Sequence, residues 1–168
     1  MNTGLLNPKK ALDEGWLYAS PNAPSINIEK QLQQSGIDLR LKMASKVVGA
    51  GVLSENKQES QNPSLVELQL VDDFYLFKGG ETYSLTFMED VKVPENAAAL
   101  VIHRSSINRF FGIITSGLYD AGFFSKGGCG AVFRPNTDVK IKVGTRVAQI
   151  IFFSAESATL YNGQYQGT

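Results

Sequence analysis

The residues best suited to chemistry in this chain lie close together in its second half. Arg104, Ser105 and Ser106 form a basic, hydroxyl-rich turn, and Arg109 follows shortly after. Guanidinium groups bind phosphate oxygens through paired hydrogen bonds, and small hydroxyl residues let a phosphate approach closely. Asp120 is a lone carboxylate among glycines, a group that can orient a water molecule or hold a sugar hydroxyl. Together these residue types favour the binding of a nucleotide.

The charge distribution also favours a small anionic ligand. The chain has 168 residues, with 16 Lys and Arg balanced by 16 Asp and Glu, so no overall attraction to nucleic acid or to a membrane surface is expected. Residues 101–148 hold seven of the basic residues and only two acids. This local excess fits a small polyanion better than a long one. The length predicts one domain over residues 1–168.

Cysteine content and hydropathy predict a cytoplasmic protein, or one in the host cytoplasm if the source is viral. Cys129 is the only cysteine, so an internal disulfide is excluded and a reducing compartment is expected. We expect its thiol to be a small buried apolar group. The first residues lack the pattern of a signal peptide, and no stretch of 18 apolar residues is present.

Short extended runs separated by glycine and proline predict an all-β fold, either a barrel or a distorted jelly-roll sandwich. The strand predictions are 37–41, 65–70, 74–77, 82–88, 98–103, 112–115, 130–133, 139–143 and 147–153. Gly79-Gly80 predicts a hairpin turn after the third of these strands. A short N-terminal helix is predicted at 8–15 and a single helical turn at 106–111.

Several segments resemble, in the correct order, the motifs of the dUTPase and dCTP deaminase superfamily, in its homotrimeric branch. The matching segments are QSGIDLRL (34–41), residues 79–112, TSGLYDAGF (115–123), GTRVAQIIF (144–152) and YNGQYQG (161–167). Within this superfamily, the sequences of these segments most resemble those of dCTP deaminases and of archaeal or viral dUTPases. The resemblance implies a trimer with active sites at subunit interfaces, a deoxynucleoside triphosphate ligand and Mg²⁺.

The resemblance assigns roles to individual positions. Arg104, Ser105 and Ser106 would contact the triphosphate together with Gln149, and Asp120 would meet the sugar 3′-hydroxyl and the attacking water. The hairpin residues that would read the base through backbone groups are Thr115, Ser116, Gly117 and Leu118.

Further roles implied by the resemblance concern the sugar, the metal and the tail. Phe123 would stack under the deoxyribose, although Phe124 competes for that role, and Asp38 would support the metal indirectly through water. Tyr165 and Gln166 would close over the nucleotide, so residues 161–168 are predicted to form a mobile flap. Arg109 has a deaminase-like position.

The sequence also discriminates between the two chemistries of this superfamily. Deaminases carry a glutamate that shuttles protons on the strand after the third motif, but Val132 takes that position here. No acid occurs between Asp120 and Asp138, so the sequence predicts hydrolysis of dUTP to dUMP and pyrophosphate. One alternative is a dCTP deaminase, or a bifunctional dCTP deaminase and dUTPase, whose carboxylate comes from another position, such as a neighbouring subunit. The others are a nucleotide-binding or signalling protein without turnover, and a hydrolase of deoxynucleoside triphosphates with another base preference.

Overall fold

The computed structural model describes residues 4–168, in which three short helices accompany eleven strands. The helices are α1 (Pro8–Asp13), α2 (Ile28–Gln31) and α3 (Ser105–Arg109). The strands are β1 (Leu17–Ala19), β2 (Ile37–Val48), β3 (Ser64–Glu67), β4 (Phe74–Phe77), β5 (Tyr83–Phe87), β6 (Glu89–Val91), β7 (Ala97–His103), β8 (Gly112–Thr115), β9 (Gly130–Pro135), β10 (Val139–Lys142) and β11 (Arg146–Ser154).

Six of these strands close into a barrel, which confirms the all-β prediction. The hydrogen-bonded order is β11-β7-β8-β9-β5-β2, and β2 pairs again with β11 to complete the circle. All of these neighbours are antiparallel. Closure leaves these strands without a free edge, while β3 extends the sheet beyond β2.

Alternating burial along the strands builds the barrel interior. In β9 the pattern alternates strictly, with Ala131 and Phe133 buried and Val132 exposed. The Phe133 ring meets Phe77 edge to face at 5.0 Å between centroids, and Phe77 meets Tyr83 in the same way at 4.9 Å. Such tilted aromatic contacts add to the free energy gained from burying apolar surface.

The predicted strands occur near the expected positions, but the predicted hairpin at Gly79-Gly80 is wrong. Strand β4 pairs with β10 in a separate two-stranded sheet, with Val139 opposite Phe77, whereas β5 joins the barrel. The glycines do form a turn, and Gly80 has a positive φ of 80°. The glycine pair therefore lies where the chain passes from one sheet to another, and not between two strands that pair with each other. The sequence interpretation also missed the short strands β1 and β6 and the helix α2.

The helix predictions are confirmed with shifted boundaries. The N-terminal helix begins at Pro8, as expected, and the helical turn near residue 106 is α3. Within residues 4–168 no helix is long and apolar enough to cross a membrane.

Candidate functional site

Asp38 is the centre of a charged cluster that three neighbouring strands assemble. Its side chain is fully buried at the start of β2, opposite Gln149 of β11, and Arg104 directly follows β7 on the other side of β11. One carboxylate oxygen of Asp38 accepts from Nε of Arg104 at 2.9 Å and from Nη1 of Arg146 at 3.0 Å. The sequence motifs that lie far apart along the chain therefore meet at one carboxylate.

The remaining contacts of Asp38 come from amide side chains. Gln149 donates to the second carboxylate oxygen at 3.3 Å, and Gln33 donates to the first at 3.2 Å. Burial raises the pKa of the Asp38 carboxyl, while the Arg104 guanidinium beside it offsets part of that rise. The space beside Gln149 is tight, because a Cβ on Gly36 would lie 2.7 Å from Cγ of Gln149. The cluster is thus closely packed around the two arginines.

A basic cleft of about 450 Å³ opens above this cluster. Its lining residues are Asn27, Lys30, Gln31, Arg40, Arg104, Gly144, Thr145 and Arg146. Four of them are basic and none is acidic, because the acids that belong to this region lie beneath it. Asp38 holds Arg104 and Arg146, and the fully buried Glu89 holds Arg40 at 2.6 Å. An electropositive cleft of this kind suits phosphate groups.

The serines after Arg104 are free to meet a ligand. They begin α3, but Arg104 occupies the N-cap position and no side chain caps the helix. Within residues 4–168, the hydroxyls of Ser105 and Ser106 make no hydrogen bond. Arg109 is exposed in the last turn of α3 and forms no ion pair among the described residues.

The predicted base-reading hairpin borders a second cleft, of about 610 Å³. Its lining residues are Val47, Asn62, Pro63, Leu65, Ser84, Thr115, Ser116, Gly117, Tyr119, Gly130, Ala131, Val132 and Tyr165. Thr115 is paired directly with Val132 across β8 and β9, so the position expected to hold the deaminase glutamate does face this hairpin. No carboxylate lines the cleft. Leu118 lies just outside it, exposed beside Asp120 in a neighbouring cleft.

The side chain of Asp120 makes no polar contact among the described residues that would give it a structural role. The residue is exposed, and its carboxylate makes no hydrogen bond or ion pair with any of residues 4–168. Phe123, three positions on, is 9 % exposed, and its ring stacks on Tyr119 at 4.9 Å between centroids and meets Tyr161 edge to face at 5.4 Å. The neighbouring Phe124 is exposed. Within one chain, Phe123 is thus largely covered by two tyrosines, and its role under a sugar stays a prediction.

The C-terminal tail docks on its own chain beside the hairpin cleft. The Gln166 amide donates to the Gly122 carbonyl at 2.9 Å and accepts from the Phe124 N–H at 3.2 Å. Tyr165 lines the hairpin cleft and is about half exposed. The two tail residues assigned from the sequence therefore lie next to the predicted base-reading segment.

The sequence-predicted residues fall into two groups that one chain keeps apart. Asp120 follows Tyr119, which pairs with Ala99 near the start of β7, whereas Arg104 comes just after its end. At about 3.3 Å per residue, the backbone of the two positions is separated by roughly 20 Å along β7. Asp120 and Arg104 also line different clefts. A single triphosphate cannot meet both residues in one copy of the chain.

The sequence analysis missed the buried acids Glu89 and Asp90 and the basic residue Lys30. Asp90 accepts from the Ser125 hydroxyl at 2.8 Å and from the N–H groups of Gly127 and Gly128. Burial acts to raise the pKa of Asp90, but these hydrogen bonds outweigh it and hold the pKa below its ordinary value. The acidic pair Glu89-Asp90 within an apolar strand was the available signal.

Cys129 is buried, as predicted, and is unsuited to nucleophilic chemistry. Its side chain lies in the barrel core, and burial raises the pKa of its thiol far above the ordinary value. A thiol that stays protonated is neither a nucleophile nor a metal ligand at neutral pH.

Comparison with known proteins identifies the family of this chain. Residues 10–155 match the model of the family described as dCTP deaminase-like. The chain belongs to this family. A deoxyuridine 5′-triphosphate nucleotidohydrolase of Methanocaldococcus jannaschii is 30% identical over 142 residues, which cover 83% of this chain and 89% of that protein.

Solved structures share the fold of this family member at low sequence identity. The 2′-deoxycytidine 5′-triphosphate deaminase of Agrobacterium tumefaciens superposes with a TM-score of 0.68 and 19% identity over 92% of this chain. The match spans about half, 49%, of that chain. The dUTPase of phage phi11 of S. aureus, described with a structural Mg(II) ion, superposes with a TM-score of 0.54 and 14% identity, covering 88% of this chain and 95% of that one.

Proposed function

We propose that this protein is a dUTP diphosphatase that hydrolyses dUTP to dUMP and pyrophosphate. Family membership and the archaeal relative named for this activity support the substrate class. The basic cleft around Arg104 and Arg146 supports the binding of a triphosphate, and the free carboxylate of Asp120 supports activation of a water molecule.

The observation that carries hydrolysis over deamination is the chemistry of the hairpin cleft. Deamination of cytosine needs a side chain beside the base that can take up and release a proton. Val132 faces this cleft opposite Thr115, and none of the residues lining the cleft is acidic. Within one copy of the chain, a base bound there meets no lining carboxyl group that could protonate it. Hydrolysis at phosphorus has no such requirement at the base.

The proposed reaction depends on charge neutralisation and a positioned water. Arg104 and Arg146, held by Asp38, stabilise the negative charge that builds on the phosphate oxygens as pyrophosphate leaves. Ser105 and Ser106 donate hydrogen bonds to the phosphate chain from the start of α3. Asp120 accepts a hydrogen bond from the attacking water and directs its oxygen at the α-phosphorus.

We propose that a magnesium ion arrives bound to the triphosphate rather than held by a set of protein ligands. Within residues 4–168, no three His, Cys, Asp or Glu side chains converge on a point where they could hold a metal. Mg²⁺ commonly retains several waters and binds largely through substrate phosphates, where it neutralises charge. Both carboxylate oxygens of Asp38 already accept hydrogen bonds, so its assignment as an indirect metal ligand stays a prediction.

We infer further that the complete site forms between copies of the chain, in a homotrimer. The separation of roughly 20 Å between Arg104 and Asp120 along β7 supports this, because the attacking water must lie close to a phosphate held by Arg104. A neighbouring copy that presents its Asp120 to the basic cleft resolves the conflict. Closed cyclic symmetry then gives each copy one equivalent site.

Mixing two inactive variants should restore activity if the site is shared. Asp120→Asn and Arg104→Gln each remove one half of every site, so each variant alone should be nearly inactive. After subunit exchange at equal amounts, about one quarter of the sites combine an intact Arg104 with an intact Asp120 from another copy. We expect about a quarter of wild-type dUTP hydrolysis after mixing. No recovery, under conditions where mass spectrometry detects mixed trimers, would contradict the shared site.

A product assay tests the proposed reaction itself. Purified protein is incubated with dUTP, dCTP or UTP and Mg²⁺, and the nucleotides are separated by chromatography. We expect dUMP and pyrophosphate from dUTP alone. Conversion of dCTP to dUTP or dUMP would instead identify a deaminase, and tight retention of dUTP without product would identify a binding protein that lacks turnover.

A further inference from the structure

One residue of the basic cleft has a free charge that neither the sequence motifs nor the proposed mechanism uses. Lys30 lies in α2 and lines the cleft together with Arg104 and Arg146. Among residues 4–168, its ammonium group forms no ion pair or hydrogen bond. The other basic residues of the cleft are all engaged by buried acids: Arg40 by Glu89, and Arg104 and Arg146 by Asp38.

The backbone of Lys30 is fixed although its side chain is free. Its carbonyl accepts a hydrogen bond from Nη1 of Arg146, and its N–H donates to the Asn27 side chain at 3.2 Å. The next residue, Gln31, is buried and donates to the Asp38 carbonyl and to Glu89, both at 2.9 Å. The backbone of Lys30 is thus held beside the Arg146 guanidinium, while its flexible side chain can reach into the cleft.

The charge balance of the cleft leaves room for a polyanion. Four basic residues line it, and two buried carboxylates lie beneath them, so two positive charges stay uncompensated. The Arg40 guanidinium donates hydrogen bonds to Glu89 and to the carbonyls of Pro24 and Ser25, so few of its N–H groups remain for a ligand. The free ammonium of Lys30 is the cation best able to move toward a phosphate.

We propose that Lys30 binds the β- and γ-phosphates of the substrate and thereby selects a triphosphate over a monophosphate. The inference rests on the proposed function, because the α-phosphate must stay near Asp120 while the rest of the chain extends into the basic cleft. Lys30 acts as a point charge there, whereas the arginines supply directed hydrogen bonds. The product dUMP lacks both outer phosphates, so it loses this contact and leaves more readily than the substrate.

The test is the variant Lys30→Gln, which removes the charge and keeps a polar side chain that is one bond shorter. We expect the KM for dUTP to rise about tenfold with kcat within about twofold, the signature of an interaction made equally in the ground state and the transition state. Calorimetry should show a similar loss of affinity for α,β-imido-dUTP, with the affinity for dUMP changed less than about twofold. Lys30→Arg should restore most of the dUTP affinity.

The matched control is Lys140→Gln, which removes an equally exposed charge from β10, outside the clefts described above. Equal KM values for dUTP in wild type, Lys30→Gln and Lys140→Gln would overturn the assignment, as would an equal loss of dUMP binding in Lys30→Gln. Wild-type protein that binds α,β-imido-dUTP without hydrolysing dUTP would contradict the proposed hydrolysis, while the binding comparison would still decide the role of Lys30.

Discussion

Replacement of Asp120 by asparagine should abolish most turnover while leaving the fold intact. We expect kcat for dUTP to fall by about 100-fold or more, the range over which a positioned acid or base contributes. The affinity for α,β-imido-dUTP should stay within about tenfold of wild type, because asparagine can still accept a hydrogen bond from the sugar hydroxyl. Steady-state kinetics and calorimetry on the same preparation measure both quantities.

The exposure of Asp120 makes this result specific to chemistry. Its carboxylate makes no hydrogen bond or ion pair within residues 4–168, so the free energy of unfolding should change by no more than about 0.5 kcal/mol. Asp72→Asn is a suitable control, since Asp72 is another exposed aspartate in a turn and its positive φ of 51° suits asparagine. Retention of wild-type kcat in Asp120→Asn would remove Asp120 from the reaction.

Strand positions were predictable here because buried and exposed side chains alternate along many of the strands, both in the barrel and outside it. Runs such as Gly112–Thr115 and Phe74–Phe77 have the observed bounds of β8 and β4. The pairing of β4 was not predictable, because it depends on a contact with β10 more than sixty residues away. A glycine pair fixes only the direction of the local backbone, and cannot specify which strand completes the ladder.

The sequence also identified most of the candidate site but not its internal organisation. Arg104, Gln149 and Asp38 were each singled out by motif, and the structure pairs Arg146 with Asp38 as well. The spacing of the motifs along the sequence could not predict that Asp38 binds both arginines, because this contact depends on the register between β2 and β11. Lys30 carries no motif at all. Lys30 is a candidate ligand-binding residue only because it lines the basic cleft.

Loss of the Asp38 carboxylate should impair both the stability of the fold and the binding of phosphate. In Asp38→Asn, two guanidinium groups lose their counter-charge and lie next to each other with a neutral amide. Removing one partner of a buried ion pair typically costs about 3–5 kcal/mol, and we expect about 2–3 kcal/mol here because the arginine side chains are 26% and 33% exposed. Urea unfolding measures this change in the free energy of unfolding.

The same substitution tests whether Asp38 positions the arginines for the substrate. At a temperature where circular dichroism shows the variant folded, kcat/KM for dUTP should fall by about tenfold or more, because Arg104 and Arg146 no longer share a charged acceptor that holds them in place. Asp138→Asn breaks a pair of the same chemical type with Lys78 at the surface, where both side chains are more than half exposed, and should leave both the stability and kcat/KM nearly unchanged. If Asp38→Asn lowered stability but kept wild-type kcat/KM, Asp38 would stabilise the barrel without orienting its phosphate-binding groups.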